Sequence, residues 1–368
     1  MIMNQIEKLL QDANLPQLQD RAQMKKILLD NEYGYVPNIP YEMTVSEPKM
    51  LESRFCCGTC QLTQVDVTIT TELGSHTFPV KRLLHNDGKD HPFFVFINFR
   101  DNAPDYYYPV EEIADRGFSV LSFKYTDITA DNDACPDATF DDKLAKVLLK
   151  NGQDQDDTCG KIAIWAWVAS RVLDYAQTLP GLDLAQAAVL GHSRLGKTAL
   201  VAGMMDERFR YVFSNDSGCS GASLARLSLG VLGKTGKYGG PGETISKIMC
   251  VRYWFNKKYR QFAETNIPDD FDQHFLLATI APRYVYVASA AMDDWASPDG
   301  EFMSCVAASQ AWEEKGLTGF VHNGILPDDD VTLPTGRIGY HRRPGKHFLS
   351  RTDWNRYMDF IELHKNDK

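Results

Sequence analysis

Hydrophobic positions along this chain follow two rhythms in turn. Val65, Val67 and Ile69 alternate with polar residues, the period-two signature of a half-buried strand, and "TFPVKRLLH" just after them reads as its partner. The run "PFFVFINF" from Pro92 is apolar on both faces, as a buried central strand must be. From there the period switches back and forth. "VEEIADRG" is a short helix stopped by glycine, "FSVLSFKY" a strand, and "CGKIAIWAWVASRVLDYAQTLPG" a long helix with Trp165, Val168 and Val172 on one face and Pro180 and Gly181 at its end. "LAQAAVL" is the next strand and "TALVAGMMDERF" the next helix; "YVFSND" and "RYVYVASA" are strands, "SCVAASQAWEEKG" a helix, and "GRIGYH" a last strand. "TDWNRYMDFIELHK" closes the chain as a helix capped by Thr352 or Asp353.

This alternation predicts an α/β fold, a mostly parallel central sheet with helices on both faces and antiparallel hairpin strands ahead of it. Residues 4–31 carry a helical period, and the prolines of "EYGYVPNIPYEM" then force an extended path. With no internal repeat or low-complexity linker, we expect residues 1–60 to be an N-terminal helical and extended segment packed on the main domain, and residues 61–368 to form a single α/β domain.

Composition removes some function classes. Hydrophobic residues make up 43% and charged residues 24% of the 368, ordinary values for a globular protein. The net charge of -10 opposes nucleic-acid binding. No run of about 18 apolar residues offers a membrane span. The start, "MIMNQIEKLLQDANL", reads as an amphipathic helix without a signal peptide's apolar stretch, so the chain as it stands is expected to be cytoplasmic, or secreted if a signal has been removed. Cysteines 56, 57, 60, 135, 159, 219, 250 and 305 have no spacing that suggests a disulfide framework, and free thiols are expected. Cys57-x-x-Cys60 resembles half a zinc site, but no second cysteine or histidine pair follows at ligand spacing.

The chemistry concentrates in "VLGHSRLGKTAL". Gly191, Gly196, Lys197 and Thr198 satisfy the phosphate-loop pattern G-x-x-x-x-G-K-[ST] of nucleotide-binding proteins. Centred on Ser193, the same residues are close to a nucleophile elbow, with Gly-x-Ser-x-x-Gly in place of Gly-x-Ser-x-Gly. Position favours the elbow: a phosphate loop normally follows the first strand of its domain, whereas about six strand candidates precede Gly191. An α/β-hydrolase fold sets its nucleophile after the fifth strand and supplies Ser, then Asp or Glu, then His. A serine needs a histidine to take its proton and a carboxylate to orient that histidine. His347, in the loop "RPGKHFLSRTDW", is the candidate base, with His341 as a packed or solvated neighbour. Asp293, after "RYVYVASA", and Asp216, one strand earlier, are the candidate acids, Asp293 the preferred one.

Taken together, "GHSRLGK", "SNDSGCSG", "FDQHFLLATIAPRYVYVASAAMDDWASPDGEF" and "IGYHRRPGKH" resemble the bacterial branch of the glucuronoyl esterases, carbohydrate esterase family 15, over roughly residues 90 to 364. The resemblance implies a serine α/β-hydrolase that needs no metal or other cofactor. It implies cleavage of the ester between 4-O-methyl-glucuronic acid on xylan and a lignin alcohol. Carried over, Ser193 is the nucleophile, Arg194 gives the oxyanion a backbone N–H and a cationic side chain, Lys197 contacts sugar hydroxyls, and His347 is the base. Asp216 matches the acid position of fungal members and Asp293 that of bacterial ones. Two departures stand out: His192 replaces the disulfide-bonded cysteine of the fungal Gly-Cys-Ser-Arg, and the fungal sugar-stacking tryptophan has no counterpart after Asp216. Trp254 and Trp295 are the candidates to replace it, although either is more usual as core. The alternatives carried forward are a carbohydrate acetyl esterase and, through the phosphate-loop pattern, a nucleotide-binding protein.

Overall fold

In the computed structural model, which describes residues 4–131, 140–227 and 237–367, the strands are β1 Glu42–Val45, β2 Lys49–Phe55, β3 Cys60–Thr71, β4 Gly74–His85, β5 His91–Asn98, β6 Ser119–Lys124, β7 Leu182–His192, β8 Tyr211–Asn215, β9 Tyr284–Ala290, β10 Val331–Leu333 and β11 Ile338–Arg343. They form one sheet in the order β1-β3-β4-β6-β5-β7-β8-β9-β11-β10, with β2 paired to β3 off that path. The pairs β6–β5, β5–β7, β7–β8, β8–β9 and β9–β11 are parallel, and the flanking strands antiparallel.

Side-chain alternation on β5 shows why both faces must be covered. Phe93, Val95 and Ile97 enter the core on one side, with the helices Lys161–Ala176 and Arg194–Met205, while Phe94 and Phe96 enter the core on the other. There Trp354, from the C-terminal helix Arg351–His364, meets both rings edge-on at 5.1 and 5.2 Å. Losing so large a buried side chain would cost about 3–5 kcal/mol.

Several local expectations change. The N-terminal helical period divides into Gln5–Ala13 and Arg21–Leu28. Asn14 closes the first helix in the left-handed region, φ 46°, and Pro16 cannot continue it. The extended stretch beyond Pro40 supplies β1 and β2 to the sheet, β1 pairing Glu42 with Thr70. The C-terminal helix is capped by Ser350 rather than Thr352 or Asp353: the Ser350 hydroxyl accepts from the Asp353 amide, and the Asp353 carboxylate accepts from the Ser350 amide at 2.6 Å. The helix read in "SCVAASQAWEEKG" begins earlier, at Pro298. Among the described residues no helix is long and apolar enough to cross a membrane.

Candidate active site

Register sets the site. His192 pairs with Asn215, Asn215 with Ala288, and Ala290 with Arg343, so β7, β8, β9 and β11 end level at one edge. Their following loops carry Ser193, Asp216, Asp293 and His347. Ligands in open parallel sheets bind beyond these carboxyl ends.

Ser193 occupies φ 57°, ψ -128°, a strained conformation for a residue with a Cβ. The turn is held from both sides. The Ser193 amide donates to Asn215 O at 2.8 Å, and its carbonyl accepts from the Gly196 and Lys197 amides at 2.8 and 3.2 Å. Gly191 is required by close approach, because a Cβ there would lie 1.9 Å from Leu195 O. Gly196 packs its bare Cα against the end of β8 and the loop after it, where a Cβ would stand 3.1 Å from Asn215 O and 3.0 Å from the Cβ of Ser217. The strain and both glycines therefore serve a sharp strand-to-helix turn that lifts one hydroxyl above the sheet.

His347 Nδ1 lies 2.6 Å from Asp293 Oδ2. Asp216 sits close to both, one ligand atom from each of the three lying within 4.8 Å of the others, but its oxygens face the backbone. Asp216 Oδ1 accepts from the Ala290 amide at 2.6 Å, and Oδ2 from the Phe348 amide at 3.4 Å with Arg343 at 3.7 Å. Burial, then the Asp293 and Glu301 carboxylates, push its carboxyl well above the usual range. Beneath them Glu301 accepts from the Ser217 and Gly218 amides and from Ser289 Oγ; burial raises it to about 7. His192 packs its ring 4.4 Å from that of His347 and donates from Nδ1 to Asn215 Oδ1 at 2.6 Å; burial, and after it the neighbouring His347, hold its imidazole well below the usual range. His341 is packed, its Nε2 2.7 Å from Asp353.

Ser193, Arg194, Lys197, Asp216, Trp254, Asp293, Trp295 and His347 all line one cavity of about 370 Å³. Their environments differ. The Arg194 guanidinium stacks on Trp254 at 4.5 Å and bonds Asp131 Oδ2 at 2.5 Å. Asp131 also accepts from Tyr253 Oη and Trp254 Nε1. Burial works to raise this carboxyl, but the Arg194 charge and those donors hold it below the usual range. Lys197 is 2% exposed; its ammonium donates to Ser217 O, Cys219 O and Glu243 Oε2 at 2.5, 2.6 and 3.0 Å. Three donors meet three acceptors, so Lys197 ties the loop after β8 to Glu243 and has no N–H left for a sugar or a phosphate. That pattern disfavours the nucleotide-binding alternative, which needs this ammonium on a phosphate. Trp254 is almost buried and Trp295 43% exposed. Asp131, Glu243 and Glu301 were not legible as site residues, since each stands alone in sequence and is placed only by the fold. The seven described cysteines are unbonded; Cys135 lies outside the described residues.

Setting aside the antiparallel β1, β2 and β10, eight strands remain, and Ser193 follows the fifth of them. With the strained serine turn, this defines an α/β-hydrolase. Residues 67–316 match the family described as "Glucuronyl esterase, fungi", and the chain belongs to that family. Ser193, Asp216 and Asp293 fall inside the match and His347 beyond it. Over 206 residues the chain is 39% identical to the carbohydrate esterase MZ0003 of an unknown prokaryotic organism, covering 56% of this chain and 44% of that protein. Over 163 residues it is 32% identical to the 4-O-methyl-glucuronoyl methylesterase of Hypocrea jecorina, 44% of this chain and 34% of that one. The matched segments thus span less than half of either curated relative. Solved structures align over more of the fold. A promiscuous CE15 esterase from the marine bacterial metagenome superposes with a TM-score of 0.81 at 26% identity, over 99% of this chain and 94% of that one. The glucuronoyl esterase from Solibacter usitatus gives 0.78 at 26%, over 94% and 92%.

Proposed function

We propose that this chain hydrolyses 4-O-methyl-glucuronoyl esters of glucuronoxylan through an acyl-enzyme on Ser193. The observation that carries the reading is the 2.6 Å contact of His347 Nδ1 with Asp293, on the wall of the cavity into which the strained Ser193 turn projects. The family membership and the names of the relatives supply the substrate class.

In this mechanism Asp293 fixes the His347 tautomer with its proton on Nδ1, leaving Nε2 to accept the Ser193 proton. The hydroxyl attacks the ester carbonyl. Charge that develops on the carbonyl oxygen meets the Arg194 amide, at the N-terminus of the helix that follows Ser193, and the Arg194 guanidinium, which Asp131 and Trp254 hold in place. A preorganised donor of this kind is worth about 3–4 kcal/mol in the transition state. His347 then protonates the departing alcohol, and water repeats the sequence on the acyl-enzyme. Asp216 takes the supporting part, bracing β9 and the Phe348 amide. An esterified uronic acid is uncharged at its carboxyl, so the chain's negative charge does not repel it.

The test compares hydrolysis of benzyl glucuronate, methyl glucuronate and an acetylated xylose by wild type and Ser193→Ala. The uronate esters are expected to react fastest, and Ser193→Ala to abolish turnover with its fold intact. Full activity in that variant, or preference for the acetyl ester, would reject the proposal.

A further inference from the structure

His192 ends β7 and leads into the Ser193 turn, and the proposed reaction gives it no step. It is buried and belongs to a row of aromatic rings. The His347 ring stands 4.4 Å from it, tilted by 41°. Tyr107 meets His192 edge-on at 5.1 Å and meets Phe348 in the same way at 5.0 Å. The loop that carries the base is therefore held twice by this row, His347 against His192 and Phe348 against Tyr107. The Phe348 amide adds its bond to Asp216.

The base needs such a support. Its side chain is 40% exposed, and its Nδ1 is tied to Asp293. One hydrogen bond lets an imidazole pivot about it, whereas a ring packed alongside fixes its plane. Proton transfer from a serine demands that fixed plane, because the catalytic geometry tolerates only small displacements.

Hydrogen bonds also decide how His192 itself is protonated. Asn215 Nδ2 donates to Tyr357 Oη at 2.9 Å, which leaves Asn215 Oδ1 as the acceptor facing His192. Nδ1 of His192 therefore carries the proton, and Nε2 keeps a lone pair. Among the described residues that buried Nε2 has no hydrogen-bond partner. A side chain that only filled space would do better without it, since a buried acceptor left unpaired is destabilising. The nitrogen has a use beside a base that becomes a cation. When His347 takes the Ser193 proton, His192 turns no second N–H toward it, and burial, then His347 itself, opposes a charge on the His192 ring.

We propose that His192 is a positioning residue for the ester hydrolysis: its imidazole, held in one tautomer by Asn215, backs the His347 ring and keeps it in line between Asp293 and Ser193 before and after the proton moves. This role rests on the serine mechanism proposed above. His192 does not line the cavity, so it acts through His347 and not on the substrate.

The test combines kinetics on benzyl glucuronate with nitrogen NMR of protein labelled in its histidine rings. His192→Ala is expected to lower kcat by about 10² and to leave KM within about twofold. His192→Phe, which restores a ring, should recover about tenfold of that loss. In an Asp293→Asn background the base is already misplaced, so His192→Ala should cost less than about threefold, whereas in Arg194→Met it should cost its full factor. The spectra should show His192 protonated on Nδ1 and bare at Nε2, and the fixed tautomer of neutral His347 should give way to a mixture in His192→Ala. Should the alanine variant fail to fold, His192→Gln, which keeps a donor for Asn215 but has no ring, replaces it in every comparison. Wild-type kcat in the ringless variant, an undiminished loss in the Asp293→Asn background, or a proton on His192 Nε2 overturns the proposal. The spectra need no substrate, so they judge His192 even if wild type leaves the uronate ester uncut and the proposed function falls.

Discussion

The His347 ring meets Asp293 through Nδ1 at 2.6 Å, while Asp216, which follows the adjacent strand, spends its carboxylate on the Ala290 amide at 2.6 Å. Two acids that sequence left as rivals therefore have different hydrogen-bond partners.

Their asparagine variants should separate accordingly. Asp293→Asn cannot hold the imidazole tautomer and is expected to lower kcat by about 10⁴. Asp216, whose burial already favours the protonated form, resembles a neutral amide in shape and charge, and we expect Asp216→Asn to lose no more than about tenfold. Steady-state kinetics on benzyl glucuronate decide it. A larger loss in Asp216→Asn would exchange the two roles.

Arg194 is aimed by its neighbours. Asp131 bonds the guanidinium and at the same time accepts from the tryptophan on which that guanidinium stacks. We expect Arg194→Met to cost about 10²–10³ in kcat and Asp131→Asn about 10² through misplacement. In the double variant the losses should not add, because both act through one group. Additive losses in this double-mutant cycle would show that Asp131 does not work through Arg194.

Much of this was legible from the chain alone. The apolar run at residues 92–99 and the alternating strands and helices after it fixed the sheet, and Gly191 with Ser193 located the turn. The lapses share a cause: they depend on partners remote in sequence. Lys197, expected to contact sugar hydroxyls or, in the phosphate-loop pattern, a phosphate, donates to Ser217 O, Cys219 O and Glu243 Oε2. The cap on the last helix moved to Ser350 because the reciprocal bond with Asp353 satisfies two backbone amides at once. β1 and β2 are short and polar, so only their pairing with β3 marks them as strands.

A buried carboxyl links stability to pH. Glu32 is fully buried, both oxygens accepting from Gln273 Nε2 at 3.0–3.1 Å, and burial lifts it from 4.5 to about 8. The folded state thus keeps a proton that the unfolded chain releases near pH 4.5. The stabilisation is complete below that value and declines by up to ~1.4 kcal/mol per pH unit until pH passes about 8. Glu301 adds a similar decline that ends near 7. In Glu32→Gln the decline due to Glu32 disappears, so urea unfolding at pH 5.5, 7 and 8 should show the variant gaining on wild type as pH rises. Parallel stability curves would mean that Glu32 is ionised in the folded protein.

The strain at Ser193 makes a prediction in which stability and activity part company. Its φ of 57° and ψ of -128° store about 1–3 kcal/mol, because a Cβ is held where only glycine is at ease. Both Ser193→Ala and Ser193→Gly lose the nucleophile and should be inactive. Alanine keeps the Cβ and its strain. Glycine sheds it, at a cost of about 0.4–1 kcal/mol in unfolded-chain entropy. We expect Ser193→Gly to be more stable than Ser193→Ala by roughly 1 kcal/mol, read from urea midpoints at equal m-values. An alanine variant as stable as the glycine one would mean that the turn relaxes once the hydroxyl is gone, and that its conformation is imposed by serine's own contacts rather than by the surrounding backbone.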